Sequence, residues 1–258
     1  ARIASLAEEL HQVIAGGRSI CQEAGIALAG GHSIDAPEPI FGLAVNGLVP
    51  IHQLKKNNTA RPGDLLYLTK SLGVGVLTTA EKKGCLQPED EGLAARQMMQ
   101  LNRIGAELGK LAQVHALTDV TGFGLLGHLR EMADESGVSA LLPAVEEIPL
   151  LSPRLRGYIR SGSVPGGTIR NWQSYGEGIR MDPSLGEEQE EWIRILADPQ
   201  TSGGLLVAVD PSGRQELEKL LHDSGLGAYA RPIGYCLQRE EKSIRVGKGG
   251  SAEVPVSA

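Results

Sequence analysis

Thr118-Asp119-Val120-Thr121-Gly122-Phe123-Gly124-Leu125-Leu126-Gly127-His128 is the stretch on which the reading of this chain turns. A carboxylate precedes a glycine-rich helix start, where free backbone N–H groups and the positive end of the helix dipole favour phosphate. Gly122, Gly124 and Gly127 have the spacing of a dinucleotide fingerprint. The apolar strand before them is short and interrupted by Thr118 and Asp119, so a Rossmann site is rejected. The residues alone leave Asp119 open between metal ligand and N-cap, with Thr121 a second capping candidate. An aspartate beside a phosphate repels it unless a cation lies between them, which makes Mg²⁺ the natural partner. Magnesium takes one or two carboxylates plus substrate oxygens and water. Further carboxylates would come from Asp35, Glu38, Asp198 or residues outside this chain.

Outward from that stretch, helical and strand signals alternate. A strand is expected from Leu65 to Thr69, a long helix from Glu91 to Leu111, a helix after Gly122, and strands at Leu205–Val209 and Arg231–Cys236. This is the pattern of an α+β layered domain. Before it, Ile3, Leu6, Leu10, Val13 and Ile14 follow the three-and-four spacing of an amphipathic helix that stops near Gly25. Strand candidates Ile26–Ala29 and Phe41–Val49 flank the polar loop from Gly30 to Pro39. The run Lys55–Asp64 has the composition of a linker. The expected organisation is a partial N-terminal domain over 1–52, a linker over 53–64, a C-terminal α+β domain over 65–246 and a flexible tail over 247–258. The chain opens without Met, inside its first helical pattern, and is expected to be a fragment.

The 258 residues suffice for proper cores without disulfide staples. Lys and Arg number 25 against 31 Asp and Glu, a net charge of -6, with no basic stripe, so nucleic acid is not an expected direct partner. No run approaches the roughly 18 apolar residues of a membrane span. Cys21, Cys85 and Cys236 lack paired spacing, which fits a reducing cytoplasm. All three are expected to be structural or incidental, although Lys82 and Lys83 flank Cys85. Glycine, 34 of 258 residues, stands at about 13% where about 7% is usual, and marks backbone turned towards something.

Three further loops carry donors. Gly30-Gly31-His32-Ser33 could approach a nucleotide closely, or form an ordinary turn. Pro165-Gly166-Gly167-Thr168 with Arg170-Asn171, and Asp198-Pro199-Gln200-Thr201-Ser202-Gly203-Gly204, have N–H and hydroxyl groups suited to anions, or are tight turns. No P-loop occurs. His128 falls inside a helix, with a packing or surface role expected, and the acidic run Gly186–Glu191 reads as a solvated face.

Together, Leu28 to Val45, Thr118 to Leu129, Val164 to Asn171 and Asp198 to Leu206 closely resemble, in the same order, the selenophosphate synthetases, the selenide, water dikinases. That resemblance places the chain in the aminoimidazole-ribonucleotide-synthetase-like superfamily, with paired N-terminal domains forming a shared β-barrel in a homodimer and an α+β C-terminal domain. It implies a cytoplasmic enzyme making selenophosphate, AMP and phosphate from selenide, ATP and water, for selenocysteine and selenouridine synthesis. It also implies Asp119 as a Mg²⁺ ligand and Gly31, His32 and Ser33, with Gly30 adjacent, as an ATP-contacting loop. No catalytic residue is assigned within the chain, because the family's nucleophilic cysteine or selenocysteine and its lysine are expected upstream. The alternatives are a non-catalytic paralogue and another ATP-cleaving member of the superfamily.

Overall fold

The computed structural model describes residues 2–37 and 40–250, with the side chains of 2–7 left aside. Glu38, Pro39 and the tail residues 251–258, on which two of the expectations fall, lie outside the described residues. The chain divides into two compact units, Ala1–Pro50 and Ile51–Ala258.

In the first unit, helix α1 (Arg2–Ala24) ends as its glycine dictates. Gly25 takes φ +75°, and the N–H of Ile26 donates to the carbonyl of Cys21 at 3.0 Å. Gly17 and Cys21 are buried, and the Phe41 ring lies against Gly17, where a Cβ would be 2.8 Å from Cζ. The two strands expected at Ile26–Ala29 and Phe41–Val49 are not formed. Residues 27–37 and 40–50 make no backbone hydrogen bond among the described residues, and an extended segment becomes a strand only when a neighbour takes up its N–H and C=O groups. Ile26, Leu28, Ile40, Phe41, Val45 and Leu48 are exposed.

The second unit is one sheet of seven strands covered on both faces. Its strands are β1 (Leu65–Leu68), β2 (Val114–Asp119), β3 (Val138–Leu142), β4 (Ile179–Met181), β5 (Leu205–Val209), β6 (Gly234–Gln238) and β7 (Ile244–Val246), in the order β2-β5-β1-β6-β3-β7-β4. The pairs from β2 through β3 are antiparallel, and β3-β7 and β7-β4 are parallel. β1 and β5 are buried at every residue, as strands packed on two sides must be. Leu66, Leu68, Leu206 and Ala208 enter the larger core, which holds buried residues of helices α2 (Val74–Lys82), α5 (Gly124–Ser136), α6 (Leu155–Arg160), α7 (Gly166–Tyr175) and α8 (Gln189–Leu196). Leu65, Tyr67, Val207 and Val209 enter a smaller core with α4 (Ile104–Leu108) and α9 (Arg214–Asp223). The alternation follows from successive strand side chains pointing to opposite faces.

Two readings are corrected within this unit. The long helix expected from Glu91 to Leu111 is two short helices, α3 (Leu93–Met99) and α4. Gln100 is extended, its carbonyl accepts from Lys70 Nζ at 2.7 Å, and Asn102 Nδ2 donates to the carbonyl of Gly203 at 2.9 Å, so tertiary anchors break the helical path. The strand expected from Arg231 begins later, at Gly234, after Pro232, which has no N–H to give a ladder.

The run with linker composition is pinned beside the edge strand β2. Lys56 O accepts from Leu117 N at 3.0 Å and Thr59 Oγ1 donates to His115 O at 2.6 Å. At the other end, residues 247–250, expected to be loose, are tied back: Gly247 N donates to Leu142 O at 2.8 Å and Gly250 N to Pro143 O at 3.1 Å. Among the described residues no helix is long and apolar enough to cross a membrane.

Candidate functional site

Asp119 closes β2, opposite Leu205 on β5, and its carboxylate is exposed with no hydrogen-bond partner among the described residues. It is therefore no N-cap. The chain then turns through Val120–Phe123 into α5, with Gly124 at φ +70° and a Cβ there only 2.7 Å from the Ala197 carbonyl carbon. No larger residue fits that turn.

The turn is clamped from three sides. Val120 N donates to Gly204 O at 2.8 Å and Gln200 N to Thr121 O at 3.0 Å. Gly203 approaches so closely that a Cβ would lie 2.0 Å from Val120 O. Asn171 of α7 donates through Nδ2 to Gly122 O at 2.8 Å and to Ala197 O at 3.0 Å. Tyr175 donates its hydroxyl to Phe123 O at 2.6 Å, and burial pushes that phenol above its ordinary range. His128 is buried, its Nε2 lies 3.2 Å from Thr121 Oγ1, and desolvation lowers its pKa, so it props the turn as a neutral ring. Three blocks read separately in the sequence thus converge on one place.

Asp198 and Gln200 act on a different element. Helix α2 has no capping side chain of its own. Asp198 Oδ2 accepts from Gly75 N at 3.0 Å and Val76 N at 3.3 Å, while Gln200 Oε1 accepts from Gly73 N and Val74 N, each at 3.2 Å. The distant loop satisfies the orphan donors that every helix start leaves. Asp198 is fully buried and Oδ1 has no partner. Burial outweighs the N–H bonds and pushes the carboxyl up to about 7. Asp198 is thus a structural cap and no free cation ligand.

Lys70, which the sequence reading passed over, is 3% exposed and donates to Ser202 O and Gln100 O at 2.7 Å each. Burial lowers its pKa. It holds the Ser202–Gly204 loop, where Ser202 has φ +49°, against the sheet. A lone Lys directly after the apolar run Leu65–Thr69 was the available signal.

Asp64, His115 and Asp210 offer ligand atoms within 4.8 Å of one another, on the three adjacent strands β1, β2 and β5 or at their ends. His115 Nδ1 lies 2.8 Å from Asp64 Oδ1, and Asp210 accepts from Ser212, so their own hydrogen bonds hold the cluster. Of the cysteines, Cys21 and Cys236 are buried, burial pushing the Cys236 thiol up to about 12, and Cys85 is half-buried 3.4 Å from Ser163 Oγ. None has the surroundings of a thiolate nucleophile. The acidic run is only partly a solvated face, because Glu188 and Glu191 pair with Arg156, and Glu191 also with Arg160. Gly30, Gly31, His32 and Ser33 are exposed loop residues of the first unit, without regular structure.

Residues 61–247 match the family described as AIR synthase related protein, C-terminal domain. The chain is 56% identical over 233 residues to a selenide, water dikinase of Aeromonas salmonicida, covering 90% of this chain and 65% of the relative. It is 54% identical over 240 residues to a selenide, water dikinase of Pseudomonas aeruginosa, covering 93% and 67%. The chain spans about two thirds of the length of these curated relatives. Among solved structures, it resembles a hydrogenase maturation protein HypE in complex with ATP, with TM-score 0.54 and 17% identity over 76% of this chain and 50% of that one. It also resembles Escherichia coli HypE, with TM-score 0.52 and 20% identity over 81% and 52%. At such identities the likeness is one of fold alone.

Proposed function

The chain belongs to the selenide, water dikinases, whose C-terminal portion is the AIR-synthase-related domain, and from that premise we propose that the protein containing it makes selenophosphate. The substrates are selenide, ATP and water, and the other products AMP and phosphate. The observation that carries the site assignment is the exposed Asp119 carboxylate, without a hydrogen-bond partner among the described residues, at a strand end whose following turn is held by two other sequence blocks.

Asp119 fits a Mg²⁺ ion as one carboxylate ligand, with nucleotide oxygens, water and residues outside this chain completing the shell. The ion would neutralise charge on the transferring phosphoryl group. The chain's own residues supply rigidity. Gly203 and Gly204 lock the backbone after Asp119, Asn171 and Tyr175 fix the entry to α5, and Lys70 holds the clamping loop down. Positioning of this kind matters because phosphoryl transfer depends mainly on placed charge. Gly30, Gly31, His32 and Ser33 serve in the same reading as the nucleotide-contacting loop, their exposure leaving backbone and hydroxyl donors available. In the same reading the protein works in the cytoplasm, which its free cysteines fit, and pairs as a homodimer, as the family resemblance implies. A nucleophile and lysine outside this chain complete the machinery.

The test is phosphorus NMR under anaerobic conditions on a protein of the relatives' full length, given Mg²⁺, ATP and selenide. Selenophosphate with equimolar AMP and phosphate is expected. ATP cleavage that ignores selenide would assign the protein to another ATP-cleaving reaction.

A further inference from the structure

Asn46-Gly47, the one Asn-Gly pair in the chain, lies in the extended segment 40–50 of the first unit. The backbone of that segment makes no hydrogen bond among the described residues, and Asn46 and Gly47 are both exposed. The flanking Val45 and Leu48 are 69% and 104% exposed, so no apolar packing holds the pair in place. The side-chain amide of Asn46 has no hydrogen-bond partner among the described residues. A Cβ at Gly47 would meet nothing within 4 Å.

The other four asparagines each lack part of this combination. Asn57, Asn102 and Asn171 are engaged through Nδ2, donating to Glu131, Gly203 and Gly122. Asn58 is exposed, but the β-branched Thr59 follows it and crowds the next backbone nitrogen. At Asn46 the next nitrogen belongs to glycine, which presents it without a neighbouring Cβ and lets the backbone rotate freely about it. That nitrogen can reach Asn46 Cγ in a five-membered ring, and no ladder partner keeps the segment extended against the rotation.

We propose that Asn46 is a self-modification site, converting by deamidation to isoaspartate and aspartate with water as the only co-reactant. Gly47 N attacks Asn46 Cγ, the bond from Cγ to Nδ2 breaks, and Nδ2 leaves as ammonia with the proton from Gly47 N. The cyclic imide then takes up one water. Opening between Cγ and Gly47 N gives aspartate, and opening between the Asn46 carbonyl carbon and Gly47 N gives isoaspartate. No electron is exchanged. The isoaspartyl link carries the main chain through Cβ and Cγ, so it adds a methylene to the backbone and leaves a carboxylate beside it. Strand side chains alternate between faces with a period of two, and the added methylene breaks that alternation between 41–45 and 48–49. The reaction thereby marks copies whose segment 40–50 has stayed unpaired. It does not rest on the dikinase reading.

The experiment incubates the chain for days in warm, mildly alkaline buffer and quantifies acid against amide at every asparagine by peptide mass spectrometry. Electron-transfer fragmentation separates isoaspartate from aspartate. Asn46 is expected to convert first, with isoaspartate in excess, while Asn58 and Asn171 remain amides over the same interval. Gly47→Ala fits the open space and needs no positive φ, so its unfolding temperature is expected to match the wild type. It is expected to slow conversion about tenfold, a barrier higher by about 1.4 kcal/mol. An Asn46 that stays amide in the folded chain but converts in urea would overturn the proposal, because the segment is then shielded. Aspartate without isoaspartate, or a Gly47→Ala rate equal to the wild type, would overturn it too, since neither passes through the imide.

Discussion

Asp198 shows how a single residue serves the site without touching it. Its Oδ2 ties the start of α2, and Gln200 beside it carries both that start and, through its backbone N–H, the Thr121 carbonyl after Asp119. Folding favours the protonated form, because burial raises the carboxyl to about 7 from an ordinary value near 3.9. The sign follows: this contribution to stability is fully present below about pH 4 and is lost as pH rises through about 7. Asp198→Asn keeps one acceptor oxygen and cannot ionise. Urea unfolding between about pH 5 and pH 8 should therefore show the wild type losing stability relative to the variant, by up to about 2.5 kcal/mol. Parallel profiles would show that Asp198 is already ionised in the folded protein.

Elements were legible in the sequence where local pattern and tertiary environment agree. β5 appeared over the expected Leu205–Val209, because a continuous apolar run of only five residues bounded by Gly204 and Asp210 has the length of a strand buried on both faces and is short for a helix. The break between α3 and α4 was not legible, since it comes from Lys70 and Asn102 reaching residues far away in sequence. The cap on α2 was hidden for the same reason, its acceptors lying more than a hundred residues downstream of Gly73–Val76. Of the candidate site, the carboxylate and its glycines could be read directly, as could the donors of the Asp198 loop. Their convergence could not, because it depends on β2 and β5 being neighbours. The segments Ile26–Ala29 and Phe41–Val49 have strand composition yet form no ladder. Hydrogen exchange should separate them from β5. Amides of residues 40–50 are expected to exchange close to unprotected rates, while those of Leu206–Ala208 exchange only through global opening. Equal, high protection of both would show that the apolar segments are paired in solution.

On the scale of the whole molecule, the second unit is a two-faced sheet whose order places β2 and β5 side by side, so that Asp119 emerges at a strand end beside the glycine loop that follows Asp198. Helices α5 and α7 then begin at that place, with Asn171 and Tyr175 joining them. The Asp119 carboxylate, without a hydrogen-bond partner among the described residues, thus stands at a strand end whose following turn is fixed from two other loops, an arrangement suited to placing a cation. The central claim is that Asp119 is where this unit meets the Mg²⁺-nucleotide. It is tested most directly by Asp119→Asn in a protein of the relatives' full length, assayed for selenide-dependent ATP turnover alongside its unfolding temperature. Loss of turnover by about a hundredfold or more, with the unfolding temperature unchanged because the side chain is exposed and unbonded, is the predicted result. Turnover equal to the wild type would remove Asp119 from the site.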